Sequence, residues 1–201
     1  MELIKESKDT THYSIVDKDG NAVSNTYTLG YSFGSGVTIP GTGVLMNNQM
    51  NNFAYRYGDK KERGRSASTG NRFEPGKKPM STMTPVMIFN ENDQLSLITG
   101  SPGGSLIPAA ILRVITGVID FDLDIGEATM LPRIHKDWPT PGILYERTVS
   151  IDVLKGLRAI GHKVTPEHTM GSTQSINIID GVNYGYADLR RPNAGVSIQT
   201  N

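Results

Sequence analysis

A threonine hydroxyl is a weak nucleophile at neutral pH and needs a base beside it. In the stretch Asp9-Thr10-Thr11-His12-Tyr13-Ser14, cutting the peptide bond before Thr10 would supply one. The freed α-amine then lies within the same residue's reach of Oγ, the N-terminal-threonine form of an activated nucleophile. A Thr-Thr pair ahead of a strand is equally ordinary β-branched strand material. The weight therefore falls on residues further along. Gly100-Ser101-Pro102-Gly103-Gly104-Ser105 lies between a strand and a helix N-terminus. Backbone N–H groups left unpaired there, with the helix dipole behind them, suit an anion or a developing oxyanion. Glycines at such a turn also serve purely steric ends. The amide run Asn47-Asn48-Gln49-Met50-Asn51-Asn52 offers donors and acceptors without charge, either for gripping a polar zwitterionic ligand or as a plain polar loop.

Other chemistries fail on spacing. The glycines at 30, 34, 36, 41 and 43 fit neither a dinucleotide nor a P-loop fingerprint, and no Lys-Ser/Thr pair follows them. Asp120-Phe121-Asp122-Leu123-Asp124-Ile125-Gly126 has its glycine one place late for an EF-hand loop and no glutamate at the twelfth position. His12, His135, His162 and His168 are scattered, and with no cysteine in the chain a metal site is not supported; no cofactor is expected. The basic stretch from Ala54 to Lys78 does not, beyond Tyr55-Arg56-Tyr57, alternate aromatics with its charges as single-strand binders need. It reads as a surface loop, a candidate lid.

The elements that must position these residues follow from pattern. His12–Asp17 alternates, Asp17-Lys18-Asp19-Gly20 turns, and Ala22–Leu29 returns, a hairpin that sets residues 10 and 28 nearly opposite each other. Short strands are expected at Val44–Met46, Val86–Asn90, Leu95–Thr99 and Lys163-Val164. Ile176–Ile179 and Tyr184–Asp188 form a second hairpin, and Val196–Gln199 is a candidate last strand. Helices are expected over Leu106 to about Val118, over a short stretch to Ala128 behind an Asp N-cap, and over Ser150–Ile160 on the surface. Strand pairs, helices, then strand pairs make an α+β chain.

With 201 residues, 37% apolar and 20% charged, the chain suits a sizeable globular domain. Lys+Arg and Asp+Glu both number 20, so no overall field draws it to nucleic acid or an anionic membrane. No apolar run approaches a membrane span, and Met1–Asp9 is too polar for a signal peptide.

Taken in order, several blocks resemble the small subunit of γ-glutamyltranspeptidases. They are Thr10-Thr11-His12-Tyr13-Ser14, Asp17-Lys18-Asp19-Gly20-Asn21, Thr26-Tyr27-Thr28, Leu45-Met46-Asn47-Asn48-Gln49-Met50, Ser81-Thr82-Met83-Thr84-Pro85, Thr99-Gly100-Ser101-Pro102-Gly103-Gly104-Ser105, Pro132-Arg133 and Met170-Gly171-Ser172-Thr173-Gln174-Ser175. The resemblance implies an N-terminal-nucleophile hydrolase fold, an αββα sandwich of stacked antiparallel sheets. It also implies a precursor that cuts itself at Asp9–Thr10. Residues 1–9 would then be the tail of the large-subunit segment, and residues 10–201 the small-subunit catalytic domain. It further implies Thr10 as nucleophile, Thr28 as its hydrogen-bonding partner, and Gly103 and Gly104 as oxyanion donors. Ser81 and Thr82 would hold the substrate α-carboxylate, with Gln49 and Asn52 at its α-amine. Implied partners are a large subunit, glutathione or other γ-glutamyl donors, and acceptor amino acids, peptides or water, with nucleic acid excluded. The implied compartment is periplasmic or extracellular, with any export signal outside this chain.

Two positions depart from the pattern: Asn52 stands where an acid is usual, and Gly30 where Asn is frequent. A neutral residue 52 forgoes a charge-assisted bond to an α-ammonium, worth about 1.5–3 kcal/mol. That favours acyl groups without an amine, as in cephalosporin (glutaryl) acylases. An uncut chain without its large subunit would be an inactive half.

Overall fold

The computed structural model describes residues 9–53, 69–137 and 141–199. Most of the candidate lid (54–68) and all but Asp9 of the expected N-terminal tail lie outside the described residues.

The first hairpin is β1 (Thr11–Val16) and β2 (Ala22–Tyr27), paired antiparallel with Thr11 opposite Tyr27. The register ends there, with Thr10 and Thr28 the residues that flank its last pair. The turn closes as its chemistry requires. Asp17 accepts the N–H groups of Asp19 and Asn21 through Oδ1, and Gly20 takes φ +84°. β2 stops two residues short of Leu29. Val44–Met46 is no strand either, and only an isolated bridge joins Thr38 to Leu45. The many positive-φ glycines of that segment curl the backbone away from a ladder.

The central sheet has the order β3-β4-β8-β9, all antiparallel, from β3 (Val86–Phe89), β4 (Leu95–Thr99), β8 (Gln174–Ile179) and β9 (Val182–Ala187). Helices α1 (Ile107–Asp120) and α2 (Ile125–Met130) cover one face. There Leu97, Val114 and Ile125 form the buried cluster, with Ile88 and Tyr186 against it. α1 presents Ile107, Ala110, Ile111 and Val114 to the core at helical spacing. Gly117 admits α2 so closely that a Cβ there would meet the Ala128 side chain. α2 begins with a capping box, Asp124 accepting the Glu127 N–H while the Glu127 carboxylate reaches back to Asp124 N.

Alternation turns Ile98 to the opposite face, where it too is fully buried. The β1–β2 hairpin lies over that sheet. Ser14 Oγ donates to the Gln174 carbonyl and Ser24 Oγ to the Thr99 carbonyl. The order of layers is therefore helices, sheet, second sheet.

A third sheet, β5-β6-β7, joins β5 (Ile134–His135), β6 (Ile143–Glu146) and β7 (Val164–Glu167). β6 and β7 run parallel, against the all-antiparallel expectation, because α3 (Ile151–Ala159) provides the crossover between them. α3 is a surface helix as its pattern predicts, capped by Ser150 and burying only Leu154. Val196–Gln199 forms no strand.

Candidate active site

Thr10 sits immediately before β1 and is 5% exposed. Its carbonyl accepts a hydrogen bond from Arg191 Nη1 at 3.0 Å. On the other side of the Asp9–Thr10 bond, the Asp9 carboxylate accepts from Ser32 Oγ, and its charge acts on Arg191. Burial lowers the Arg191 pKa from its ordinary value while Asp9 opposes that shift. The junction is thus gripped from both sides by residues far apart in sequence.

Arg191 also lines a small cleft with Gly103, Leu106, Thr169 and Gly171. Gly103 adopts φ +138° and Gly104 φ +58°, and no acceptor among the described residues takes up either N–H. A Cβ on Gly103 would stand 3.1 Å from Gly171 Cα. Glycine suits both the positive φ and this close approach, and the loop's N–H groups enter no ladder. The buried Ser101 Oγ accepts the Ser172 N–H at 2.9 Å and fixes the loop to the opposite wall.

Thr28 stands one residue past β2. Its Oγ1 accepts the Gly30 N–H at 3.0 Å, which leaves the hydroxyl hydrogen free to donate. The positive φ of Gly30 folds that N–H back onto the hydroxyl. In the continuous chain Thr10 N is a peptide nitrogen, joined to Asp9.

Gln49 and Asn52 occupy a short 3-10 helix, Gln49–Asn52. Gln49 Nε2 donates to the Thr28 carbonyl, and Asn52 Nδ2 donates to Gln49 Oε1 and to the Met80 carbonyl. Residues 28, 49, 52 and 80 are therefore one hydrogen-bonded chain that delivers Ser81 and Thr82. Ser81 Oγ accepts the Met83 N–H at 3.3 Å in a tight turn. Its hydroxyl hydrogen remains available for a ligand.

Sequence reasoning did not anticipate the network that holds the cleft's far wall. Arg133, 1% exposed, donates through Nη2 to Asp188 Oδ2 at 2.8 Å and through Nη1 to the Met170 carbonyl at 2.6 Å. Arg190 grips Glu146 with two 2.7 Å bonds and reaches Asp188 Oδ1 at 3.2 Å. The carboxylates then accept backbone N–H groups from the wall, Glu146 from Met170 and Asp188 from Thr173. Burial pulls Arg133 below its ordinary pKa, with Asp188 opposing. For Arg190 burial acts in the same direction, but Glu146 and Asp188 outweigh it and the net shift is upward. Glu146 ending the apolar run Ile143-Leu144-Tyr145 and Asp188 following β9 were the available signals, since buried strand charges require partners.

His12 is buried at 6% exposure between the hairpin and the sheet. Burial pushes its pKa down from 6.5 to about 4. Unfolded, the ring binds a proton below 6.5; folded, only below about 4. Its stability contribution is therefore complete above the unfolded value and drains away as pH falls through this window. The loss is about 3 kcal/mol in all. We predict an unfolding free energy that declines between those pH values in wild type and declines less in His12→Asn, measured by urea titration. Equal slopes would refute the assignment.

The γ-glutamyltranspeptidase profile matches residues 2–198. The chain belongs to this family. Over 186 residues it is 44% identical to the glutathione hydrolase proenzyme of Escherichia coli K12, covering 92% of this chain and 32% of that protein. It thus spans about a third of the length of such relatives. γ-Glutamyltranspeptidase from Pseudomonas nitroreducens, complexed with L-DON, superposes with a TM-score of 0.82 at 37% identity, over 94% of this chain and 100% of that one. Cephalosporin acylase from Bacillus halodurans superposes at 0.80 with 28% identity, over 94% of this chain and 34% of that one. These matches establish the N-terminal-nucleophile αββα fold, of which the described chain contributes one helix layer and strands of the two stacked sheets.

Proposed function

We propose that residues 10–201 form the catalytic small subunit of a γ-glutamyl transferase/hydrolase whose precursor cuts itself at Asp9–Thr10. One observation carries this reading. Arg191, which donates to the Thr10 carbonyl, lines the same small cleft as Gly103, whose N–H meets no acceptor among the described residues. In the cut, Thr10 Oγ attacks the Asp9 carbonyl carbon, the Asp9–Thr10 C–N bond breaks, and the acyl group passes from N to O. Water hydrolyses the ester, leaving an Asp9 carboxylate and a free Thr10 amine. In turnover that amine takes the Oγ proton as the oxygen attacks a γ-glutamyl amide. The N–H groups of Gly103 and Gly104 stabilise the oxyanion, each worth about 2.7–4 kcal/mol of barrier. The amine's proton passes to the departing amine, and water or an acceptor amine resolves the γ-glutamyl ester. Thr28 orients Thr10 once the amine is free, Ser81 and Thr82 hold the donor's α-carboxylate, and Gln49 and Asn52 its α-amine. The partner is a large-subunit segment joined ahead of Thr10. Family membership supports an extracytoplasmic site of action, and no described helix is long and apolar enough to cross a membrane.

A second reading, amide hydrolysis of donors without an α-ammonium, draws on Asn52. It meets Gln49 and Met80 as a neutral amide and brings no charge to the site. Intact mass of the full precursor tests the main reading. A fragment beginning at Thr10 is expected, whereas an uncut chain under all conditions would leave an inactive half. Competing a γ-glutamyl anilide against a glutaryl anilide separates the two enzyme readings.

A further inference from the structure

Thr10 and the Gly103-Gly104 loop belong to different sheets, so something must set the gap between them. The β1–β2 hairpin carries Thr10, and β4 runs through Thr99 and Gly100 into the loop. His12, two residues beyond Thr10, fills the space between. Its ring lies so close over Gly100 that any Cβ there would overlap Cε1 and Nδ1. Both ring nitrogens are committed. Nε2 meets Ser14 Oγ at 3.1 Å and Nδ1 meets Thr26 Oγ1 at 2.7 Å. Ser14 gives its own hydrogen to the Gln174 carbonyl at 2.8 Å, so its oxygen must accept from His12. The hydrogen therefore resides on Nε2, and Thr26 donates to Nδ1. Gln174 N in turn donates to the Gly100 carbonyl at 3.1 Å. The circuit runs from β2 through the ring to β8 and back to the residue beneath the ring.

We propose that His12, as a neutral Nε2–H imidazole seated on Gly100, is the positioning residue that sets the distance and angle between Thr10 and the oxyanion loop. It touches no reacting atom; its effect passes through β1 and β4. This rests on the Thr10 reading given above. Placement matters at this scale, because reacting groups must meet at about 3–3.5 Å, and displacing one by about 1 Å costs on the order of a hundredfold in rate. Burial keeps the ring neutral across the working range, and no charged group contributes to its shift. A protonated ring would put a second donor against Thr26 Oγ1, which would have to turn its own hydrogen away and accept instead.

The test compares His12→Phe, His12→Asn, Gly100→Ala and the double variant His12→Ala/Gly100→Ala in the full precursor. Self-cleavage is followed by mass, and kcat and KM of the matured enzyme are measured with a γ-glutamyl anilide. His12→Phe fills the space without the hydrogen bonds and is expected to lower kcat at least tenfold with KM within twofold. Gly100→Ala is expected to slow self-cleavage and turnover as strongly, and removing the ring in the double variant to restore at least tenfold over Gly100→Ala alone. A merely structural contact would lower yield or stability without that split or that rescue. Wild-type kcat in Gly100→Ala, or a loss confined to KM, would overturn the proposal. Should variants fail to fold, nitrogen NMR of the uncut Thr10→Ala protein decides it. A neutral Nε2–H ring at pH 6 supports the circuit, and a charged or Nδ1–H ring overturns it. If wild-type precursor neither cuts nor turns over, the Thr10 reading fails, and the same spectrum still decides the His12 contact.

Discussion

Thr10→Ala abolishes both self-cleavage and turnover of a γ-glutamyl amide, while the protein stays folded. The hydroxyl is the only side-chain group of the residue that the proposed chemistry uses, and alanine removes it along with one methyl. At 5% exposure the small cavity left behind costs about 1 kcal/mol. The kinetic effect is of another size. A removed nucleophile in an acyl-transfer site lowers kcat on the order of a millionfold, leaving only what binding and oxyanion donors provide. Thr10→Ser restores the hydroxyl and the amine and is expected to cut and to turn over at a reduced rate, because serine lacks the methyl that restricts χ1. Intact mass and a chromogenic γ-glutamyl anilide read both outcomes. Cleavage ahead of residue 10 in the alanine variant would assign the cut to another group, and turnover within tenfold of wild type would remove Thr10 from the nucleophile's place.

The second large effect is on stability. Asp188→Asn leaves Arg133, 1% exposed, facing a neutral amide, and takes one of Arg190's anions. Breaking one side of a buried ion pair costs about 3–5 kcal/mol, because the desolvation of the remaining charge is no longer offset. Much of a typical domain's margin would disappear. The damage should also be felt at the cleft, since Asp188 Oδ2 accepts the Thr173 N–H and so anchors the segment bearing Gly171. Urea unfolding of the variant is expected to show that loss together with slowed self-cleavage. Replacing both partners by apolar residues, Arg133→Met with Asp188→Leu, should cost less than Asp188→Asn alone, because the Arg133 charge is gone and Arg190 keeps Glu146. A change below about 1 kcal/mol for Asp188→Asn would show that solvent reaches the network and that its burial is not what holds it.

Local sequence determined the parts whose conformation is decided within a few residues. Asp17 through Gly20 carry their own turn chemistry, and so the hairpin and its register up to Thr11 opposite Tyr27 were legible. Asp124 with Glu127, and Ser150 ahead of Val153, announce helix starts because the capping partners lie on the same turn. Gly103 and Gly104 were legible as a loop that leaves N–H groups unpaired. The ordered blocks from Thr10 to Ser175 identified the family, which pattern alone would not have done.

Tertiary structure decided what depends on residues distant in sequence. Thr28 Oγ1 accepts the Gly30 N–H in the continuous chain, a contact set by the backbone beyond β2 that the strand pattern does not show. The parallel pairing of β6 with β7 was hidden because β6 reads as a short apolar run and its partner follows only after α3. Arg191, remote from Thr10 in the chain, reaches its carbonyl only once β9 has paired with β8 and Arg190 is anchored. His12 looked like one more alternating residue of an outer strand. Only the stacking of the hairpin on the central sheet makes it a buried, neutral ring resting on Gly100, because a side chain's neighbours across two layers leave no trace in its local pattern.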